Sequence, residues 1–264
     1  MVRTHVLLLA ALCAAQPALS TVLTGCCCPS KEEMAKAKKE SEERQKQKVA
    51  SMQAYYKELA AMAALVKEPG QLSEKKCDES VVAKRTKEHS FGGRLLTVDH
   101  EFVSLVTGPT FTKDQKEKLE TWEWVRSQEI KRLRHPDDID GSTVADWIAE
   151  DIDKAKKLPF IGFLRTVKRA MPIVPEKGDD FTGGIYDGWI VVVDQAAKQV
   201  VCQVAFTAEN SDEIKYKEGR FSSESDRARA AAKDDLLKNF EQATNASLKK
   251  ISNDLRVNLG LFQL

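Results

Sequence analysis

The residues with the most evident chemical potential are Asp99-His100-Glu101, with Asp187 as a more distant acid. An imidazole flanked by carboxylates is the raw material of general acid–base catalysis. Neighbouring residues, however, alternate faces on a strand and diverge by about 100° on a helix, so adjacency alone gives these side chains no shared pocket. The reading that follows is a surface histidine set between charges, and no catalytic residue is assigned. The chain has no P-loop, GxGxxG turn, GxSxG elbow or kinase signature, which removes the readily recognised enzyme classes. No cofactor is implied.

Metal chemistry is also poorly served. His89, His100 and His135 do not fall at HxxH or HExxH spacing, and three consecutive cysteines, Cys26-Cys27-Cys28, cannot surround one zinc ion tetrahedrally. Asp138, Asp140 and Gly141 can be laid on positions three, five and six of an EF-hand loop, but positions one and twelve then become Pro136 and Trp147, which supply no carboxylate. No metal ligand is assigned. The same stretch reads better as a helix entry, with Ser142 or Thr143 as cap, Asp146 as the capping-box acid, and Val144, Ile148 and Ile152 as the apolar stripe.

The N-terminus carries an address. A short basic region, Met1 to His5, precedes the uncharged run Val6 to Ala15, followed by Gln16-Pro17. This is the layout of a secretory signal peptide, and its apolar core is about half of what crosses a bilayer as a helix. Two cleavage sites fit. One follows Ala18-Leu19-Ser20 and would release a soluble protein. The other precedes Cys26, in Leu23-Thr24-Gly25-Cys26, which resembles the lipobox of bacterial lipoproteins. The resemblance covers only the first 26 residues. It implies a diacylglycerol on the Cys26 sulfur and an acyl chain on its new amino group, so that three chains hold the protein to a membrane where one would bind only marginally. Cys27 stands where an Asp would favour inner-membrane retention in the Gram-negative sorting system, so its presence points to the outer membrane.

Export makes the remaining cysteines informative. Cys27, Cys28, Cys77 and Cys202 lie in a compartment that permits disulfides. Four thiols allow three pairings; adjacent cysteines bridge only with strain, so Cys27–Cys28 is disfavoured, and the natural proposal is Cys77 with Cys202, tying an early segment to a central strand. The alternative is that Cys202 is a small buried hydrophobe on an apolar strand.

These residues must be positioned by the elements around them. Residues 31 to 48 hold seven basic and five acidic side chains, with Met34 as the only large apolar one, and read as a solvated stalk. Val49, Met52, Tyr56, Leu59, Ala63 and Val66 then recur at helical spacing, predicting a helix over 49–67 that either docks on its own domain or pairs with a partner. Residues 71 to 88 look polar and turn-like, and 91 to 106 carry enough apolar residues for a strand or a short helix. Residues 113 to 134 read as a helix. Phe160 to Met171, Trp189 to Val193 and Gln199 to Phe206 read as strands, the last two joined as an antiparallel hairpin with Val200, Cys202, Val204 and Phe206 on one face. A long helix opens at Ser223 and runs to about Val257, with Leu237, Phe240, Leu248, Ile251 and Leu255 as its stripe, and either kinks near Asn245 or projects in part. Asn245-Ala246-Ser247 matches the glycosylation sequon but lies in that helix.

Of the 264 residues, 42% are hydrophobic and 31% are charged, with 41 basic against 40 acidic. That excludes a wholly disordered chain, and a net charge of +1 removes the usual footprint of nucleic-acid binding. The expected organisation is a signal peptide over 1–25, a lipid-anchored charged stalk over 26–48, and one α+β domain over 49–264. The expected fold is a small antiparallel sheet with a central hairpin, covered on one face by amphipathic helices. The functional expectation is a non-catalytic binding or structural module at the bacterial membrane surface, with a protein partner in the envelope. The alternative is a soluble periplasmic or secreted hydrolase whose acid/base site assembles only in three dimensions.

Overall fold

The computed structural model describes residues 30–89, 92–107, 152–175, 181–215 and 223–257. The chain divides into two compact units, residues 1–40 and 41–264. The expected signal peptide, Cys26, the 113–134 helix and nearly all of the helix entry at 142–152 lie outside the described residues.

Helix α1 spans Lys31–Ala63, so it begins well before the expected position 49. Lys, Glu, Gln and Ala are strong helix formers even where nothing can be buried. Its first turn is fixed by a reciprocal capping box, in which the Glu33 amide donates to Ser30 Oγ at 3.2 Å and the Ser30 amide donates to Glu33 Oε2 at 2.7 Å. From Met52 onward one side of α1 is buried. The predicted stripe holds at Met52, Tyr56, Leu59 and Ala63, is widened by Tyr55 and Met62, and extends through Val66 in the turn that follows. The stripe docks on the protein's own core.

A single 3-10 turn at Pro69–Gln71 leads to α2, Glu79–Glu88, which the sequence reading missed. Only Val82 of α2 is buried, so it carries almost no apolar signal. Its cue was the cap: Asp78 accepts from the Ser80 and Val81 amides. The ambiguous stretch 91–106 is both things in turn, strand β1 (Arg94–Asp99) running directly into helix α3 (His100–Thr107). Strands β2 (Phe160–Ala170), β3 (Ile185–Asp194) and β4 (Gln199–Glu209) follow, then helix α4 (Glu224–Ile251) and the short β5 (Arg256–Val257).

The α+β class holds, with a sheet of order β4-β3-β2-β1-β5 and a long C-terminal helix. The β2-β3-β4 portion is antiparallel as expected, whereas β1 pairs parallel with both β2 and β5. The expected hairpin therefore occupies one edge, and the sheet is mixed. Nor is it covered on one face alone. Leu96, Val98, Ile161, Phe163, Val191 and Val193 pack towards α1 and α3, while Leu95, Phe160, Leu164, Ile190, Val192 and Val204 pack towards α4 and α2. Burial on both faces is why β1, the first half of β2 and the end of β3 read as continuous apolar runs, whereas the edge strand β4 keeps the alternation of Cys202, Val204, Phe206 and Ala208.

Two register shifts shape the sheet. At the first, Val192 faces Cys202 while Val193 faces Val200, so Val201 is an extra residue. Val200 consequently packs with the α1-side core and not with Cys202, correcting the expected shared face. At the second, Val167 is extra between Thr166 and Lys168, opposite Gly188, where a Cβ would lie 2.6 Å from the Arg165 carbonyl oxygen. Only glycine lets the strands approach there.

Helix α4 opens as predicted, with the Asp226 amide donating to Ser223 Oγ at 3.1 Å. Its buried side is Ala232, Leu236, Phe240, Thr244, Ser247, Leu248 and Ile251, so Leu236 is the buried residue where Leu237 was expected. The helix ends at Ile251 and does not continue to Val257, because the chain turns back to add β5 beside β1. Asn245 fastens that return: its Nδ2 donates to the Val257 carbonyl at 3.0 Å, and its Oδ1 accepts from the Val257 amide at 2.7 Å. The sequon is thus engaged internally, with Ser247 buried.

Candidate functional site

The candidate acid/base residues fall at the junction of β1 and α3. Asp99 ends the strand, and its Oδ1 accepts from the Glu101 amide at 2.8 Å and the Phe102 amide at 3.4 Å, so it caps the helix it precedes. Arg169 of β2 stands 3.8 Å from the other carboxylate oxygen. Burial pushes the Asp99 carboxyl above its ordinary range, against the opposing pull of the two amides and Arg169.

His100 is half-buried, not the surface histidine expected. Its Nε2 lies 3.2 Å from the Ala63 carbonyl oxygen at the end of α1, and its Nδ1 lies 2.7 Å from Arg165 Nη1. Arg165 Nη2 is paired with Glu68 in the turn region after α1. The Arg165 side chain is only 13% exposed, and its Nε has no hydrogen-bond partner among the described residues. Burial and the adjacent guanidinium hold the His100 pKa below its ordinary value. Glu101, though adjacent in sequence, is an exposed residue on the first turn of α3.

Asp187 does not join this group. It lies on β3, where its carboxylate accepts from Thr207 Oγ1 across the strand pair at 2.9 Å. The cluster the fold assembles is therefore Glu68, Asp99, His100, Arg165 and Arg169. Both ring nitrogens of His100 and both oxygens of Asp99 are committed to the protein itself. What this arrangement does is clamp three elements together, since it links the end of α1, the β1–α3 corner and β2. Sequence reasoning missed Arg165, Arg169 and Glu68 because they come from segments remote in the chain and carry no local signal.

The second constellation is the predicted disulfide. Cys77 and Cys202 are bonded, both buried, and separated by 125 residues in sequence. The alternative of a free buried Cys202 thiol is set aside. Around the bridge, Lys75 and Gln203 exchange two backbone hydrogen bonds, of 2.9 and 3.1 Å, and the Cys77 amide donates to the Ile251 carbonyl at 3.1 Å. A few residues on, Arg85 of α2 pairs through Nε with the buried Asp194 carboxylate at 3.0 Å. The segment holding α2 is thus fixed covalently at one end and electrostatically at the other.

Among the described residues, no group of three or more His, Cys, Asp or Glu side chains could hold a metal ion. None of their helices is long and apolar enough to cross a membrane. Comparisons with protein families, curated proteins and solved structures find no match for this chain.

Proposed function

We propose that this protein is a lipid-anchored component of the bacterial envelope, held by Cys26, that acts as a non-catalytic binding or structural module at the membrane surface. The observation that carries the reading is Leu23-Thr24-Gly25-Cys26, placed after a basic start and an apolar run. The Cys77–Cys202 bridge supports it, because disulfides form and persist in oxidising compartments outside the cytoplasm. The engagement of His100 and Asp99 with the protein's own groups favours a binding or structural role over acid–base chemistry. Its partner is an envelope protein, and the membrane is contacted through the lipid.

The test is the intact mass of the mature protein taken from membranes of its bacterial host, before and after reduction. The expected mass is that of residues 26–264 plus a diacylglyceryl group and a third acyl chain, with a gain of about 2 Da on reducing one disulfide. A mass matching residues 21–264 without lipid overturns the anchor and brings forward a soluble periplasmic or secreted hydrolase. A hydrolytic activity of the purified protein that one substitution abolishes overturns the non-catalytic role.

A further inference from the structure

The contact between His100 and Arg165 admits one protonation state. A guanidinium can only donate, so Nδ1 must present its lone pair, and the Ala63 carbonyl can only accept, so Nε2 must carry the hydrogen. Both contacts together define the neutral Nε2–H tautomer. A second proton has only Nδ1 to go to. There it would set an N–H donor against another donor 2.7 Å away, and a cationic ring against a cation.

Arg165 has little freedom to adjust in place. Its Nη2 holds Glu68, and its side chain is only 13% exposed. If it leaves Nδ1, the Glu68 contact moves with it. The Ala63 carbonyl that receives His100 also accepts the Val66 amide at 2.9 Å, and Leu65 is held by the Met62 carbonyl at 3.0 Å. The turn after α1 is therefore connected to the imidazole through both Ala63 and Glu68.

We infer that His100, Arg165 and Glu68 form an acid-released latch: proton uptake at His100 Nδ1 expels Arg165 and loosens the 64–68 turn from β2. The charges around the ring oppose one another. Burial above all, and then Arg165 on β2, disfavour the imidazolium, whereas the Ala63 carbonyl, Asp99 at the end of β1 and Glu68 beyond α1 favour it. Arg169 on β2 offsets Asp99, and Glu101 on α3 acts on Asp99 in the opposite sense. The net balance keeps the ring neutral at pH 7, so the latch releases only as the pH falls below the range where an unperturbed histidine titrates.

The experiment is hydrogen exchange of the Leu65 and Val66 amides in the full chain, at about pH 7.5 and about pH 5, corrected for intrinsic exchange rates. In the unaltered protein, protection should fall on acidification as the ring takes up its proton. In His100→Gln, which cannot take up the proton, the two pH values should give the same protection. Equal protection at both pH values in the unaltered protein, or the same loss in His100→Gln, overturns the latch. A second measurement does not depend on that variant folding. Nitrogen NMR of the His100 ring should show hydrogen on Nε2 alone at neutral pH, and Arg165→Gln should raise the ring's titration midpoint. Hydrogen on Nδ1, or an unmoved midpoint, also overturns it.

Discussion

On the α1 side of the sheet, Tyr55, Tyr56, Leu59 and Met62 pack on Leu96, Val98, Phe163 and Val191, and the polar seam beside them is the cluster of Glu68, Asp99, His100, Arg165 and Arg169. On the α4 side, Tyr186, Phe206 and Phe240 form an aromatic trio with centroids 4.8 to 5.5 Å apart, and the polar seam is replaced by the Cys77–Cys202 bond and the Arg85–Asp194 pair. Both faces bury comparable apolar side chains, so the hydrophobic effect does not distinguish them. What distinguishes them is how the periphery is fastened. One face depends on a proton balance and responds to pH, whereas the other depends on a covalent bond and responds to reductant.

The largest expected effect tests the apolar parity of the faces. Phe240→Ala removes the ring that stacks on Tyr186 and abuts Phe206, and should lower stability by about 3–5 kcal/mol, with Leu59→Ala on the other face costing about 2–5 kcal/mol. Urea titration of both variants checks this, and a negligible loss from Leu59→Ala would mean that α1 is not part of the core.

Removing the covalent fastening comes next. Replacing Cys77 and Cys202 together by Ser should cost about 2–5 kcal/mol, because the bridge closes a long loop of the unfolded chain. Reductant should reproduce the loss in the unaltered protein and leave Leu65 and Val66 exchange at neutral pH unchanged. Acceleration of those two amides by reductant would show the faces to be coupled.

Asp194→Ala should cost about 1–3 kcal/mol by leaving the Ala196 and Ala197 amides and Arg85 without their acceptor, measured by thermal unfolding. Its effect should fall on the β3–β4 turn and α2, which hydrogen exchange can locate.

The pH dependence carries opposing signs. His100 is held neutral in the folded chain, so its contribution is complete above about pH 6.5 and is lost as the pH falls through its lower folded value. Burial raises the Asp99 pKa, so its ionisation weakens the fold at neutral pH, and that cost disappears as acid protonates it. Asp78, held below its usual range by the Ser80 hydroxyl and nearby amides, contributes stability that fails only below the ordinary carboxylate pKa. Acidification below about pH 6.5 should therefore cost the unaltered protein stability that His100→Gln does not lose. An identical profile for the two would remove His100 from the account. The smallest expected effect is Ser223→Ala, about 1 kcal/mol for the lost α4 cap, read from the unfolding midpoint.

Much of the framework was legible along the chain because its signals are local. The spacing of Met52, Tyr56, Leu59 and Ala63 marks a helix face, the β-branched run before Asp194 marks a strand, Ser223 marks a helix start, and the proposed Cys77–Cys202 pair is the one formed. Helix α2 escaped because one buried valine makes no period, and the extension of α1 to Lys31 escaped because its residues favour helix without burying anything.

What the tertiary structure alone decided is what depends on residues far apart in sequence. The parallel pairing of β1 with β2 and β5, the bulge that sends Val200 to the opposite core from Cys202, and the coverage of both sheet faces are outcomes of pairing register and packing, which no local window encodes. The same holds for His100. Its neighbours Asp99 and Glu101 suggested acid–base chemistry, but its state is set by Ala63, 37 residues away, and Arg165, 65 residues away, because hydrogen bonds and burial act through space and leave no trace in the order of the chain.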